Sequence, residues 1–249
     1  MPKLADNCMT KLLISCITIS VILSFGAQFV QGQTPEMTPG TIQYPAAMPL
    51  WKVKTGLGIS TIAMPAAIVQ ETASLHWPLF GFDAVMGLPS NFLAEGIVSF
   101  QFVSNQVELS GRWVYPITDR LHADAGLGVG YFFGQLKQFE FNNTIHGWFL
   151  YPAVRVGYDF GPLAVTAQGK ISFISELVVH NGTEVASTTN NIFNGFSYRI
   201  SIEQPFWKTV TFGIAFQMNY LKFYYPEWVM FPTFNRYFWI PEAQFWFTL

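Results

Sequence analysis

The chain has 249 residues, a formal net charge of −2, 11% charged residues and 17% aromatic ones, whereas an ordinary globular domain is about 25% charged. No basic excess exists to displace counterions from phosphates, which excludes a nucleic-acid partner, and few charges with many rings suit a surface facing lipid. The length fits one barrel of about eight to twelve strands, or one to two soluble domains.

Residues 12–30 are mainly apolar, Lys3 and Lys11 precede them, and Val30-Gln31-Gly32 follows with small residues. This is the pattern of a secretory signal peptide over residues 1–32, with Met9 as an alternative start. A retained transmembrane helix is the rival reading on length, although Gly26, Gln28 and Gln31 polarise its tail. Leu13-Ile14-Ser15-Cys16 resembles a lipoprotein cleavage box, but too few apolar residues precede its cysteine. Both cysteines, Cys8 and Cys16, lie in this leader, so the exported chain is expected to need no disulfide, metal or cofactor. Residues 33–50 hold Pro35, Pro39, Pro45 and Pro49 without periodicity and are expected to be a flexible periplasmic approach to a barrel over residues 51–249.

The first strand has Trp51, Val53, Thr55, Leu57 and Ile59 on one face, with Lys52, Lys54, Gly56, Gly58 and Ser60 on the other. Residues 65–78 form a loop. A second strand alternates Phe80, Phe82, Ala84, Met86 and Leu88 against Asp83, and residues 88–91 turn tightly. The third carries Ala94, Val98 and Phe100 against Glu95, Ser99 and Gln101. After a hairpin at Ser104-Asn105, the fourth carries Val107, Leu109, Trp113 and Tyr115 against Gln106, Glu108, Ser110 and Arg112. The fifth, residues 121–133, is the most regular. Leu121, Ala123, Ala125, Leu127, Val129, Tyr131 and Phe133 alternate with His122, Asp124, Gly126, Gly128, Gly130 and Phe132. Alternation this long exceeds the roughly 5–6 residues of a soluble strand and matches the roughly 9–11 that cross a bilayer.

Residues 134–147 are then a polar loop. The sixth strand sets Leu150, Val154, Val156 and Tyr158 against Tyr151, Arg155 and Asp159, and turns at Gly161-Pro162. The seventh returns with Val165, Ala167, Ile171 and Phe173 against Thr166, Gln168, Lys170 and Ser172. Residues 175–191 read as the longest polar loop. The eighth pairs Phe196, Tyr198, Ile200 and Ile202 against Ser197, Arg199, Ser201 and Glu203, and residues 204–207 turn. The ninth carries Phe212, Ile214, Phe216, Met218 and Tyr220, and the tenth Tyr237, Trp239, Ala243, Phe245, Phe247 and Leu249.

The fold class is therefore all-β, a single antiparallel up-and-down transmembrane barrel of about ten strands, with eight or twelve as the alternatives. Short turns fall on the side of the N-terminus and long loops on the other. That orientation puts Trp51, Trp113, Tyr115, Tyr158, Phe160, Phe245 and Phe247 in one interfacial belt, and Phe102, Tyr131, Phe133, Phe173, Tyr220, Tyr237 and Trp239 in the other.

Trp113-Val114-Tyr115-Pro116, leading through Asp119-Arg120-Leu121 into residues 125–131, together with the terminal strand, resembles the small outer-membrane β-barrel proteins of the OmpA-like, OmpX-like and OmpW-like class. The resemblance implies a porin-like, monomeric barrel in the bacterial outer membrane. Its neighbours would be lipids and lipopolysaccharide, and the barrel-assembly machinery would insert it. Similar proteins usually end in Phe; here Phe245-Trp246-Phe247-Thr248-Leu249 keeps the alternation and ends in Leu.

Seven cations (Lys52, Lys54, Arg112, Arg155, Lys170, Arg199, Arg236) meet seven carboxylates (Asp83, Glu95, Glu108, Asp124, Asp159, Glu203, Glu242) on the inward phase. Buried charge is tolerated only when paired, so these are expected to form ion pairs that plug the lumen. Residues 223–235 are the feature beyond a generic barrel: Tyr224, Tyr225, Trp228, Phe231 and Phe234 either extend the outer aromatic belt or offer a surface to an extracellular ligand or partner. The function expected is a structural or surface-interaction barrel without enzymatic activity. The alternatives are a narrow channel or transporter for small or apolar solutes, a rim-located lipid-modifying hydrolase drawing on Glu176, His180, Glu184 and Ser187, and a secreted soluble barrel that binds an apolar ligand.

Overall fold

The period-2 segments become strands. The computed structural model describes residues 40–63, 78–101, 104–136, 143–181, 184–189, 193–207, 210–223 and 236–249. They form β1 (Val53–Ile62), β2 (Leu79–Gly87), β3 (Phe92–Phe100), β4 (Ser104–Pro116), β5 (Leu121–Leu136), β6 (Asn143–Asp159), β7 (Ala164–Asn181), β8 (Glu184–Thr189), β9 (Phe193–Trp207), β10 (Val210–Leu221) and β11 (Phe238–Thr248). Every pairing is antiparallel, and β11 returns to β1 with Phe245 opposite Ile59. Ten strands thus close one up-and-down barrel with no free edge. β8 stands outside the ring and pairs only with the far end of β7.

The barrel is inside-out relative to a soluble one. Leu109, Leu127, Val154 and Ile200 point outward from the middle of four strands and are 66%, 55%, 58% and 56% exposed. Glu95, Glu108, Arg112, Asp124, Arg155 and Glu203 point inward and are buried. A contiguous apolar exterior of this kind is stable against hydrocarbon and would aggregate in water.

Both aromatic belts form. On the side of the N-terminus Tyr158 packs on Phe160 at 4.7 Å and Trp113 on Tyr115 at 5.9 Å. At the other side Tyr220 packs on Trp239 at 4.6 Å and on Tyr237 at 5.0 Å, while Tyr131 meets Trp148 at 4.7 Å. Phe102 lies outside the described residues.

Several connections differ from the sequence reading. Ser104 and Asn105 already belong to β4, opposite Gly134 and Phe133 of β5. Across residues 102–103, which lie outside the described residues, Gln101 N–H donates to the Ser104 carbonyl at 3.0 Å. Much of the polar stretch 134–147 is strand, because β5 runs to Leu136 and β6 begins at Asn143. Of residues 175–191, expected to be loop, 175–181 continue β7 and 184–189 pair back on it as β8, with Val179 opposite Ser187. β9 likewise runs through residues 204–207 to Trp207, past the turn expected there. In each case backbone pairing to a neighbouring strand outweighs the turn-like side chains. As a result the wall is uneven: β5, β6 and β7 have 16, 17 and 18 residues, against 9 in β2 and in β3.

The largest departure is at the N-terminal end of the barrel. The proline-rich approach was expected to be flexible, yet residues 41–46 are all buried inside the lumen. Ile42 packs with Val85, Leu93 and Val114, and Tyr44 and Ala46 pack with Ala164.

Candidate functional site

The candidate site is the filled lumen. Its centre is built on the glycines of β5. Gly126, opposite Arg112, has no side chain where Arg112 Cγ lies; a β-carbon there would stand 2.8 Å from it. Likewise a β-carbon at Gly128 would meet the Glu108 carboxylate at 2.9 Å, and one at Gly130 would meet the Tyr151 ring at 2.7 Å. The three glycines form a flat track over which long polar side chains from β4 and β6 lie across the interior.

Four charges on four successive strands share that interior. Arg155 donates to Glu95 through two nitrogens, at 2.9 and 3.3 Å. Arg112 donates to Asp124 at 3.0 Å and places its Nε 3.5 Å from Glu95. Ser110 donates its hydroxyl to Glu95 at 3.1 Å. One step toward the outer side, Lys170 donates to Glu108 at 2.7 Å and lies over the Tyr151 ring at 4.1 Å. Such pairs are held by mutual neutralisation, since either partner alone would be an uncompensated buried charge.

Four of the remaining inward charges use neutral partners. Glu203 is fully buried and accepts from three successive backbone N–H groups: Ile42 at 2.8 Å, Gln43 at 3.1 Å and Tyr44 at 2.8 Å. Lys54 donates to the Thr41 carbonyl at 3.1 Å. Arg199 bonds Gln244 at 3.0 Å and also Gln43. Glu242 accepts from Gln244 at 3.0 Å and from Asn219 at 3.4 Å.

Three residues expected in the lumen network are elsewhere. Lys52 precedes β1 and is exposed, Arg236 precedes β11 and is exposed, and Asp159 caps an exposed turn by accepting from Gly161 N–H at 2.7 Å. Period-2 extrapolation fails at these positions because each lies at or beyond a strand end, where alternation no longer fixes a face. Five cations and six carboxylates of the expected set therefore face inward, rather than seven of each.

A polar cavity of about 160 Å³ remains beside this network, lined among others by Gln43, Asp83, Glu108, Lys170, Arg199 and Glu242. A second one of about 40 Å³ adjoins it through Glu108, Lys170, Arg199 and Gln217. Ser60 Oγ, Gln106 Oε1, Arg199 Nε and Trp246 Nε1, all on residues lining the larger cavity, are buried without a protein partner. That chemistry suits water, and the larger volume is well above the roughly 10–15 Å³ that one molecule needs. Among the described residues no cluster of three or more His, Cys, Asp or Glu could hold a metal ion.

Above the charges, the raised wall turns apolar on its inner side. Phe132, Ile145, Phe149, Tyr151, Ile174, Leu177 and Phe223 form one buried cluster. Phe223 is drawn into it by Asn194, which accepts from the Phe223 N–H at 2.8 Å and donates to its carbonyl at 2.9 Å. Sequence reasoning left Phe223 in the outer loop and placed Phe132 on the inward phase of the fifth strand with His122 and Asp124. Tyr224, Tyr225, Trp228, Phe231 and Phe234 lie outside the described residues.

The opposite end is closed by residues 41–46, a feature no sequence signal marked. Tyr44 stacks on His122 with ring centroids 5.3 Å apart and donates its hydroxyl to the Arg120 carbonyl at 3.0 Å. Burial, reinforced by the Asp159 carboxylate, pushes the Tyr44 phenol up to about 12. The hydrolase candidates are on the β7–β8 hairpin, where His180 is opposite Val185 and Val179 opposite Ser187. The His180 ring stacks on His146 at 5.9 Å; the side chains of Glu184 and Ser187 lie outside the described set.

No protein-family model matches the chain, and no curated protein does. Among solved structures it is similar to the KdgM porin in complex with disordered oligogalacturonate, at 11% identity over 78% of this chain and 97% of that one, with a TM-score of 0.42. It is also similar to the translocator domain of the autotransporter NalP from Neisseria meningitidis, at 7% identity over 98% and 97% of the two chains, TM-score 0.42. A third similar structure is outer membrane phospholipase A from Escherichia coli, at 10% identity over 79% and 92%, TM-score 0.39.

Proposed function

We propose that the protein is a structural and surface-interaction barrel of the outer membrane, without enzymatic activity, whose lumen is closed to solutes in its resting state. The observation that carries this reading is the double filling of the interior: the Glu95, Arg112, Asp124 and Arg155 network across the middle, and residues 41–46 lodged in one end. A charged network with nearly equal numbers of both signs offers little selectivity by charge, which disfavours a standing ion-selective channel. Any specific recognition then belongs to the outer side, where the tall β5–β7 wall carries an apolar inner surface and where residues 224–235 follow Phe223.

Purified protein reconstituted in a planar bilayer tests the closed lumen. We expect no stable porin-like conductance step from wild-type barrels that show heat-modifiable gel mobility. A persistent large step would replace this reading with that of an open channel.

A further inference from the structure

The buried segment at the N-terminal end has a seat made for it. Two inward-facing glycines on separate strands leave the space: a β-carbon at Gly56 would stand 2.8 Å from Ile42 Cδ1 and one at Gly157 2.5 Å from Pro45 Cδ. Nothing in strand formation requires glycine at these positions, and a side chain there would exclude the segment.

The seat also holds the segment by its backbone. Successive N–H groups of residues 42–44 converge on one carboxylate, Glu203, in the manner of an anion-binding nest turned round so that the anion belongs to the wall. These bonds are charge-assisted and depend on main-chain geometry rather than on a covalent or strand connection. No strand pairing ties residues 41–46 to the barrel, so the segment leaves without breaking a ladder. When it does, Lys54 gives up the Thr41 carbonyl and Glu203 gives up the three N–H groups of residues 42–44.

Gln43 connects the segment to the hydrated interior. It bonds Arg199 and lines the polar cavity of about 160 Å³, which reaches toward the outer side as far as Ser60, Leu79 and Ser99. The segment is thus the floor of that cavity. We propose that residues 41–46 are a releasable stopper, and that the barrel with the stopper displaced conducts small hydrated ions through the cavity. This goes beyond the closed resting state proposed above, which describes the barrel with its stopper seated.

The test uses the full chain with Cys8 and Cys16 replaced by Ser and a single reporter, Thr41→Cys, in the buried segment. Ile42→Asp places a charge among Val85, Leu93 and Val114 and opposite Glu203 while leaving every strand unchanged, and Gly157→Phe fills the seat from the wall. We expect thiol labelling of the reporter to rise by at least about tenfold in either variant, as follows from burying an unpaired charge or an unaccommodated ring. We also expect small conductance steps in KCl that the unsubstituted protein lacks. Faster labelling without conductance overturns the proposal, because the floor has gone and no path has opened. Unchanged labelling in both variants, or loss of heat-modifiable folded barrel in both, overturns it too, because the segment is then a fixed part of the fold. Steady conductance in the unsubstituted protein would instead count against the closed resting state.

Discussion

Replacing Arg155 by Met removes one guanidinium and two hydrogen bonds from the centre of the lumen, at 2.9 and 3.3 Å from Glu95. Glu95 would keep Ser110 Oγ at 3.1 Å and Arg112 Nε at 3.5 Å, a distance at which that nitrogen makes no hydrogen bond. Both Arg155 and Glu95 are about nineteen-twentieths buried or more, so water does not replace what is lost. Breaking a buried pair in this way costs about 3–5 kcal/mol. Glu95→Gln alone leaves Arg112 and Arg155 with Asp124 as their nearest compensation, and a similar cost is expected. The double variant leaves Arg112 with Asp124 at 3.0 Å and no orphaned charge. It should therefore be less destabilised than the sum of the single variants, by about 2 kcal/mol. Urea unfolding of barrels in lipid vesicles, followed by tryptophan fluorescence, measures all four corners of the cycle. A cost below about 1 kcal/mol for Arg155→Met, or additivity within about 0.5 kcal/mol, would show that the lumen charges are solvated rather than paired.

Two further outcomes follow from the wall and the outer cluster. Leu127→Arg puts a cation on the lipid face near the middle of β5, where it should cost about 2–4 kcal/mol and reduce the fraction of heat-modifiable barrel in membranes; full retention of insertion would remove the lipid-facing assignment of that side. Asn194→Ala removes two hydrogen bonds to the Phe223 main chain, a loss of about 1–3 kcal/mol. Because the damage is local to the chain leaving β10, limited proteolysis should cut after Phe223 faster while the barrel core stays resistant, and equal cleavage rates would refute the anchoring role.

Strand identity, and which side chains face lipid, could be read from the sequence because a closed barrel in a bilayer has one apolar and one polar side. Period-2 alternation therefore states the face of every residue within a strand, as it did for Leu127 against Asp124 and Gly126. It stops doing so at strand ends, which is why Lys52, Asp159 and Arg236 were placed inward and are not. Turn chemistry also misled at residues 175–191, of which 175–181 continue β7 and 184–189 pair with its far end as β8. What the tertiary structure alone decided is which inward groups meet. The glycines of β5 look like small lumen residues in sequence, and only the register with β4 and β6 shows that they make room for Arg112, Glu108 and Tyr151. The seat of residues 41–46 was invisible for the same reason. It is assembled from Gly56, Gly157 and Glu203, which lie on three different strands and are far apart along the chain, and a non-periodic proline-rich segment gives no local sign of what will bind it. Local pattern fixes the face of a side chain; contact across a lumen depends on register and closure, which are properties of the whole ring.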